Sequence, residues 1–178
     1  MNDARCNRST LLKKGRVFDF YSENITLSNG VTLDMELIRH PGAAAIVALT
    51  EDRSVLLLQQ YRYAAGGIIW EIPAGTLDPA EDPDTCAARE LTEETGYRAH
   101  RLEKLGQITP LPAYSNERIH LYLATGLEKA AQHLDEDEVL SVHRRTLDQA
   151  LQMIADGTIQ DAKTIAALHL TAGRLARG

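Results

Sequence analysis

The chain alternates short apolar runs, typical of buried strands, with stretches that have helical spacing. The clearest runs are "AAAIVALT" (43–50), "SVLLLQQYRY" (54–63) and "RIHLYLATGL" (118–127). Near-continuous apolar runs of this length, rich in Val, Ile and Leu, are typical of strands covered on both faces. The pattern therefore predicts a central sheet with packed layers on either side.

The N-terminal part has a different pattern, with shorter alternating apolar and polar positions. Asn29-Gly30 lies between two such stretches, and this dipeptide is a strong signal for a tight hairpin turn. We expect a small antiparallel sheet over residues 1–41 and the main domain over residues 42–178.

Three segments change to helical spacing: "DPDTCAARELTEETG" (82–96), "LDQALQMIADG" (147–157) and "DAKTIAALHLTAGRLAR" (161–177). In the first, Asp84 is expected to cap the initial turn and Gly96 to end the helix. Strands, a helix, more strands and then helices predict an α/β domain with a mixed sheet and helices on both faces.

Composition narrows the possible functions. A chain of 178 residues with a net charge of −6 and no basic stripe argues against a nucleic-acid surface. Because there is neither an apolar run of about 20 residues nor an apolar signal segment, we expect a cytoplasmic protein that does not enter membranes. Cys6 and Cys86 lack a ligand spacing, so we assign them no role. If the ligand is anionic, a local feature must reverse the sign of the charge.

The first helical segment carries an unusual set of carboxylates. Glu90, Glu93 and Glu94 fall at positions i, i+3 and i+4, which places them on one helical face. Their repulsion destabilises a helix, and Arg89 offsets only part of it. Bound Mg²⁺, for which Mn²⁺ can substitute, would remove the conflict, and Mg²⁺ commonly shares its ligands with substrate phosphates. The alternative is a solvated acidic face with no ligand.

The same segment matches a spaced motif, and the matching residues are Gly75-x5-Glu81-x7-Arg89-Glu90-Leu91-x-Glu93-Glu94-x-Gly96. In this spacing the chain resembles the Nudix hydrolases. Tyr97 departs from the aliphatic residue usual after the final glycine. The resemblance implies a Nudix-type α/β/α sandwich that hydrolyses the pyrophosphate of a nucleoside diphosphate linked to another group.

Roles follow from the resemblance, residue by residue. It implies that Glu90 and Glu94 are the main metal ligands and that Glu93 assists through metal or water. The carbonyl of Ala74 is implied as a backbone ligand, and Arg89 as the residue that orients the glutamates. Glu81 is expected in the outer part of the metal cluster, or alternatively as a loop carboxylate paired with Arg89.

Sequence outside the motif resembles the ADP-ribose pyrophosphatase branch, from Gly42 to Leu170. Pro112 matches a proline marker of that branch, although an ordinary loop proline is the alternative and the usual Ser-Pro-Gly is here Leu-Pro-Ala. Arg62 is a candidate for gripping the diphosphate or the terminal ribose, with a surface salt bridge as the competitor.

Further residues are expected around the substrate. Glu71 is expected to face the same cleft, and Trp70 to stack on adenine or fill a dimer core. In the branch the general base is often a glutamate on a late acidic loop, here "HLDEDEVLSV", which leaves Glu136 and Glu138 as candidates.

The branch also implies a homodimer, because its N-terminal strands commonly pack across a two-fold axis. The N-terminal strands before Ala43 are also too few to be stable alone. We expect Glu36 or Arg39 near the cleft shared by the two subunits.

The preferred function is Mg²⁺-dependent cleavage of ADP-ribose to AMP and ribose 5-phosphate. Hydrolysis of another ADP-sugar or of GDP-mannose is the enzymatic alternative. A non-catalytic nucleotide-sensing module is disfavoured because the motif keeps all of its glutamates, and RNA decapping because no basic or aromatic track accompanies it.

Overall fold

The computed structural model describes residues 4–177, which form two compact units. The first comprises residues 4–42 and 109–118, and the second comprises residues 43–108 and 119–177. The predicted N-terminal segment also included residues 1–3 and the predicted main domain included residue 178, which lie outside the described residues. The segment 109–118 joins the first unit through backbone hydrogen bonds with Ile38, whose N–H donates to Tyr114 and whose carbonyl accepts from Asn116.

The first unit is built on an antiparallel sheet in the order β1 (Arg5–Lys13), β2 (Asp19–Thr26) and β3 (Thr32–Arg39). The turn predicted at Asn29-Gly30 joins β2 to β3. Gly30 has φ of 83°, a left-handed conformation that glycine adopts without strain. This confirms the small antiparallel sheet expected from the sequence.

Apolar side chains are exposed on this unit. Strand β1 is exposed at every position. The exposed large apolar residues of the unit include Leu11, Leu12, Val17, Phe18, Phe20, Leu27 and Val31. Exposed apolar residues mark an interaction surface where they form a contiguous patch.

The second unit contains a mixed sheet flanked by helices. In chain order its strands are β4 (Ala43–Leu49), β5 (Ser54–Arg62), β6 (Gly67–Glu71), β7 (Ala74–Thr76), β8 (Tyr97–Ile108), β9 (Ile119–Lys129) and β10 (Leu140–Thr146). The sheet runs β10-β5-β4-β9-β8, with β6 paired to β5 and β7 to β4. Strands β4 and β9 are parallel, whereas the other pairs are antiparallel.

Helices cover both faces of this sheet: α1 (Pro83–Thr95) on one, and α2 (Leu147–Ala155) with α3 (Ala162–Leu175) on the other. Alternation along β4 divides the core, because Ala44 and Ile46 pack with α1 while Ala45 and Val47 pack with α2 and α3. This confirms the three-layer α/β/α arrangement.

The N-cap of helix α1 lies two residues before the predicted one. Asp82 is the N-cap, and its carboxylate accepts the N–H of Asp84 at 2.8 Å. Pro83 explains the difference, because proline fits the first helical position and has no N–H to satisfy. Asp84 instead accepts a hydrogen bond from the Tyr122 hydroxyl at 2.6 Å. Gly96 ends the helix as expected, in the left-handed conformation.

Within residues 4–177, none of the helices has both the length and the apolar character needed to cross a membrane.

Candidate active site

Three of the motif glutamates, Glu90, Glu93 and Glu94, lie on α1, and Glu90 and Glu94 lie beside the short strand β7. Glu94 is 1% exposed and Glu90 is 8% exposed, whereas the Glu93 side chain is 38% exposed. Cys86, Ala87 and Leu91 occupy the core face of the same helix. The helix therefore lies deep enough in the fold to bury two carboxylates beside its apolar stripe.

Arg89 pairs with three of the motif carboxylates. Its Nε and Nη2 each donate to Glu81 at 2.9 Å, and its Nη1 donates to Glu90 at 2.6 Å and to Glu93 at 3.0 Å. These contacts raise the pKa of Arg89, and they lower the pKa of Glu81 to about 2. Arg89 thus neutralises more of the cluster than its i, i+4 spacing from Glu93 suggested.

Glu81 has the arrangement that the sequence left as its alternative. Both of its oxygens accept from Arg89, and Oε2 also accepts the N–H of Asp78 at 2.9 Å. The loop before α1 is thereby closed on itself and fixed to the helix.

The backbone of β7 contacts the two buried glutamates. The N–H of Ala74 donates to Glu94 Oε2 at 2.8 Å. A Cβ at Gly75 would lie 1.9 Å from Glu90 Oε1, so the motif glycine is what allows that carboxylate to approach the strand. Glu90 and Glu94 are therefore held against main chain on one side.

Burial is the main reason that these two carboxylates are hard to ionise. Burial, followed by the charges of Glu90 and Glu138, raises the pKa of Glu94 to about 8 despite the Ala74 hydrogen bond. Burial, with the charges of Glu93 and Glu138, raises the pKa of Glu90 to about 6 against the opposing effect of Arg89. Such a site favours any cation that can share the charge.

A divalent metal ion fits the chemistry of these donors. Carboxylate and carbonyl oxygens are the hard ligands that Mg²⁺ and Mn²⁺ prefer. In residues 4–177, however, no three His, Cys, Asp or Glu side chains stand together as a ready metal-binding group, since Glu81, Glu90 and Glu93 turn to Arg89. An ion would therefore have to draw Glu90 and Glu93 from the guanidinium.

The first part of the acidic loop between β9 and β10 is hydrogen-bonded to the C-terminal end of α1. His133 N–H donates to the carbonyl of Glu93 at 3.0 Å, and the Gln132 amide donates to the carbonyl of Glu94 at 2.6 Å. Glu138 is half-buried and its charge acts on Glu90 and Glu94, whereas Glu136 is exposed. The Glu138 carboxylate also accepts the N–H of Asp135 at 3.0 Å.

Arg62 and Glu71 form a second ionic group in the same unit. Arg62 donates through Nε at 3.0 Å and Nη2 at 2.9 Å to the two oxygens of Glu71, which is 2% exposed. Lys163 Nζ lies 3.0 Å from both Glu71 and Asp161. Burial pushes the pKa of Glu71 upward, but Arg62 and Lys163 outweigh it, so this pKa lies below its usual range.

Lys163 could not be predicted from the sequence as part of this group. It lies 92 residues from Glu71 along the chain and outside the motif, so no local pattern connects the two. Asp161 and Thr164 have the spacing of a helix cap, which indicates where α3 begins but not what it contacts.

Trp70 is half-buried and packs against the core between the sheet and helices α2 and α3. Its ring lies 5.0 Å from the His143 ring, edge to face, and the Arg145 guanidinium lies 5.2 Å from its centroid. The indole thus already has partners within its own unit.

Three other predicted residues lie in the first unit. Arg39 donates to the buried Glu23 at 2.7 Å, which Ser9 also contacts. Glu36 is an exposed residue of β3, and Pro112 is exposed in the turn that precedes Tyr114.

The second unit is thus an α/β/α sandwich in which a glycine-containing strand leads into a helix that carries an Arg-Glu cluster. The match to the NUDIX domain model covers residues 39–168, and the chain belongs to that family.

Similar proteins agree with this membership. The chain is 44% identical to the methanol dehydrogenase activator of Bacillus methanolicus over 157 residues, which is 87% of this chain and 85% of that protein. It is 38% identical to the ADP-ribose pyrophosphatase of Bacillus subtilis over 157 residues, which again cover 87% of this chain and 85% of that protein. A solved structure of an ADP compounds hydrolase superimposes with a TM-score of 0.85 at 24% identity, covering 98% of this chain and 95% of that one.

Proposed function

We propose that this protein hydrolyses the pyrophosphate of ADP-ribose to AMP and ribose 5-phosphate, with a divalent cation as cofactor. The observation that carries the proposal is the buried pair Glu90 and Glu94, held against β7 in the family's motif helix. The substrate is supported by the relative from Bacillus subtilis, an ADP-ribose pyrophosphatase that is 38% identical to this chain over 157 aligned residues.

In this reaction a water oxygen bonds to one phosphorus, the bond from that phosphorus to the bridging oxygen breaks, and the water loses a proton. Glu90 and Glu94 would hold the cation, with Glu93, the Ala74 carbonyl and Glu81 in supporting positions. A bound Mg²⁺, or Mn²⁺ in its place, would neutralise phosphate charge and lower the pKa of a bound water.

We assign the general base to Glu138 in preference to Glu136. Its partial burial and its electrostatic effect on Glu90 and Glu94 support this choice. A base must lie close to the water that it deprotonates, whereas Glu136 is solvent-exposed.

Substrate contacts belong to the proposal as well. Both Arg62 donors that face Glu71 are occupied, which fixes the guanidinium plane and leaves Nη1 for a phosphate or ribose oxygen. Trp70 and Glu71 are proposed to border the adenosine and ribose. Glu36 and Arg39 are proposed to lie near the cleft of a dimer.

The cytoplasm is the proposed compartment. Cys6 and Cys86 are both free thiols, which is the usual state in a reducing environment.

The substrate assignment is tested with ADP-ribose, another ADP-sugar and GDP-mannose, each with Mg²⁺ or Mn²⁺ and with products separated by chromatography. ADP-ribose should give AMP and ribose 5-phosphate at the highest kcat/KM. Glu94→Gln should lower this activity by orders of magnitude and retain the circular dichroism spectrum, because it removes a ligand charge without changing size. Faster turnover of GDP-mannose would overturn the substrate, and parental activity in Glu94→Gln would overturn the site.

The base assignment predicts different effects for two neighbouring substitutions. Glu138→Gln should lower kcat by roughly 10²- to 10⁴-fold, the contribution of a general base, with KM nearly unchanged. Glu136→Gln is the matched control and should stay within a few-fold of the parent. The reverse result would move the base to Glu136, and a mild effect of the double variant would contradict a base on this loop.

We also propose a homodimer formed through the first unit, because its exposed apolar residues need a cover. Sedimentation equilibrium at micromolar concentration should give about twice the chain mass of 19.7 kDa. Phe18→Asp together with Leu12→Asp should shift the mass toward the monomer, because two buried charges would oppose association. A parent that sediments as a monomer while fully active would refute the dimer.

A second candidate function rests on the 44% identity to a methanol dehydrogenase activator. If this chain has that role, adding it to a methanol dehydrogenase should raise the initial rate of methanol oxidation. Glu94→Gln should abolish the increase if activation depends on the same hydrolytic site. An unchanged rate with the parent protein would exclude this candidate for the dehydrogenase tested.

A further inference from the structure

The first turn of α3 contacts the segment that leads into the glutamate site. Asp161 caps the helix, accepting the N–H of Thr164 at 3.0 Å. The Thr164 hydroxyl oxygen, fully buried, accepts the N–H of Ile72 at 2.9 Å. Lys163, between these two residues, bridges Asp161 and Glu71. One helical turn therefore fixes two consecutive residues, 71 and 72.

The next two residues are fixed by other elements. The Pro73 carbonyl accepts the N–H of Ile46 at 2.8 Å, and the Ala74 N–H donates to Glu94. Residues 71–74 thus each have a specific partner, and the last of these partners is a buried motif glutamate. A shift of this segment would change where Ala74 meets Glu94.

Glu71 has the most demanding environment of the four. It is 2% exposed, and its two cationic partners differ in their exposure to solvent. The Arg62 side chain is 41% exposed, whereas that of Lys163 is 13% exposed and is also tied to the cap of α3. A buried carboxylate that loses one of two partners must recruit water, protonate or move. Lys163 is therefore the partner that connects Glu71 to the protein frame.

We propose that Lys163 is a positioning residue: through Glu71 it fixes Arg62 and the 71–74 segment, and through Ala74 it sets the position of Glu94 for the cation. The inference rests on the proposed function in that Glu94 is taken as a metal ligand. Lys163 itself touches neither the motif glutamates nor, on this proposal, the reacting atoms.

The test compares Lys163→Met with Lys163→Arg, which restores the cation, and with Lys104→Met, the same change at an exposed lysine of β8. Binding of Mn²⁺ alone is measured by electron paramagnetic resonance, without substrate. Outer groups that orient metal ligands typically contribute 10- to 100-fold in metal affinity, so Lys163→Met should raise the Mn²⁺ Kd by about 10-fold or more. Lys163→Arg should recover most of the affinity, and Lys104→Met should match the parent.

A double-mutant cycle tests whether the effect passes through Glu71. Glu71→Gln keeps the size of the side chain and removes the charge that Lys163 binds. If Lys163 acts through Glu71, adding Lys163→Met to Glu71→Gln should change the Mn²⁺ Kd by less than about 3-fold, so the two effects are not additive. Full additivity would overturn the proposal, as would a parental Mn²⁺ Kd in Lys163→Met. Should Lys163→Met fail to fold, Lys163→Gln is used in the same cycle.

The two proposals fail in different ways. A parent that binds Mn²⁺ but cleaves no ADP-ribose would contradict the proposed function, and the Mn²⁺ comparison would still test Lys163. A parent that cleaves ADP-ribose alongside a Lys163→Met variant with unchanged Mn²⁺ affinity and kcat would contradict the positioning role alone.

Discussion

The burial of two carboxylates on one helix is the constraint on which the site depends. Removing a charged carboxylate from water is costly unless charge and hydrogen bonds are returned to it. Glu94 accepts a hydrogen bond from the Ala74 N–H, and Glu90 accepts one from Arg89. Neither contact prevents burial from raising the pKa of these groups. A cation that binds Glu90 and Glu94 would therefore gain more binding free energy than one that binds carboxylates at a solvated surface.

That constraint explains why the neighbouring backbone is so closely specified. Helix α1 buries Glu90 and Glu94 because the adjacent residues Ala87 and Leu91 pack the same side of the helix onto the sheet. Cys86 belongs to the same packed face, where burial raises the pKa of its thiol to about 12, so it is inert core. Gly75 then allows β7 to come within reach of Glu90. The spacing between Gly75 and the glutamates in the motif thus reflects the packing of strand β7 against helix α1.

Features that depend on a single helix or strand could be predicted from the sequence. The apolar runs predicted β4, β5 and β9, and the helical period predicted α1 and the shared face of its glutamates. The helix cap was predicted wrongly because two aspartates compete for that position, and Pro83 makes Asp82 the cap instead of Asp84. Strand β8 was missed because its polar residues, such as Arg98 and Arg101, hide the alternation of a sheet edge. Lys163 could not be found at all, because its contact with Glu71 exists only after α3 has packed on the sheet.

Charge balance connects these features to an anionic substrate. The cluster holds five glutamates, namely Glu81, Glu90, Glu93, Glu94 and Glu138, and the described contacts place Arg89 among them, with Arg62 acting on Glu94 from farther away. A diphosphate approaching such a site would meet repulsion, in a chain whose net charge is already −6. Lys163 and Arg62 add no net positive charge, since the charges of Glu71 and Asp161 balance theirs. Divalent cations are thus what would reverse the local sign, so metal binding and substrate binding should depend on the same glutamates.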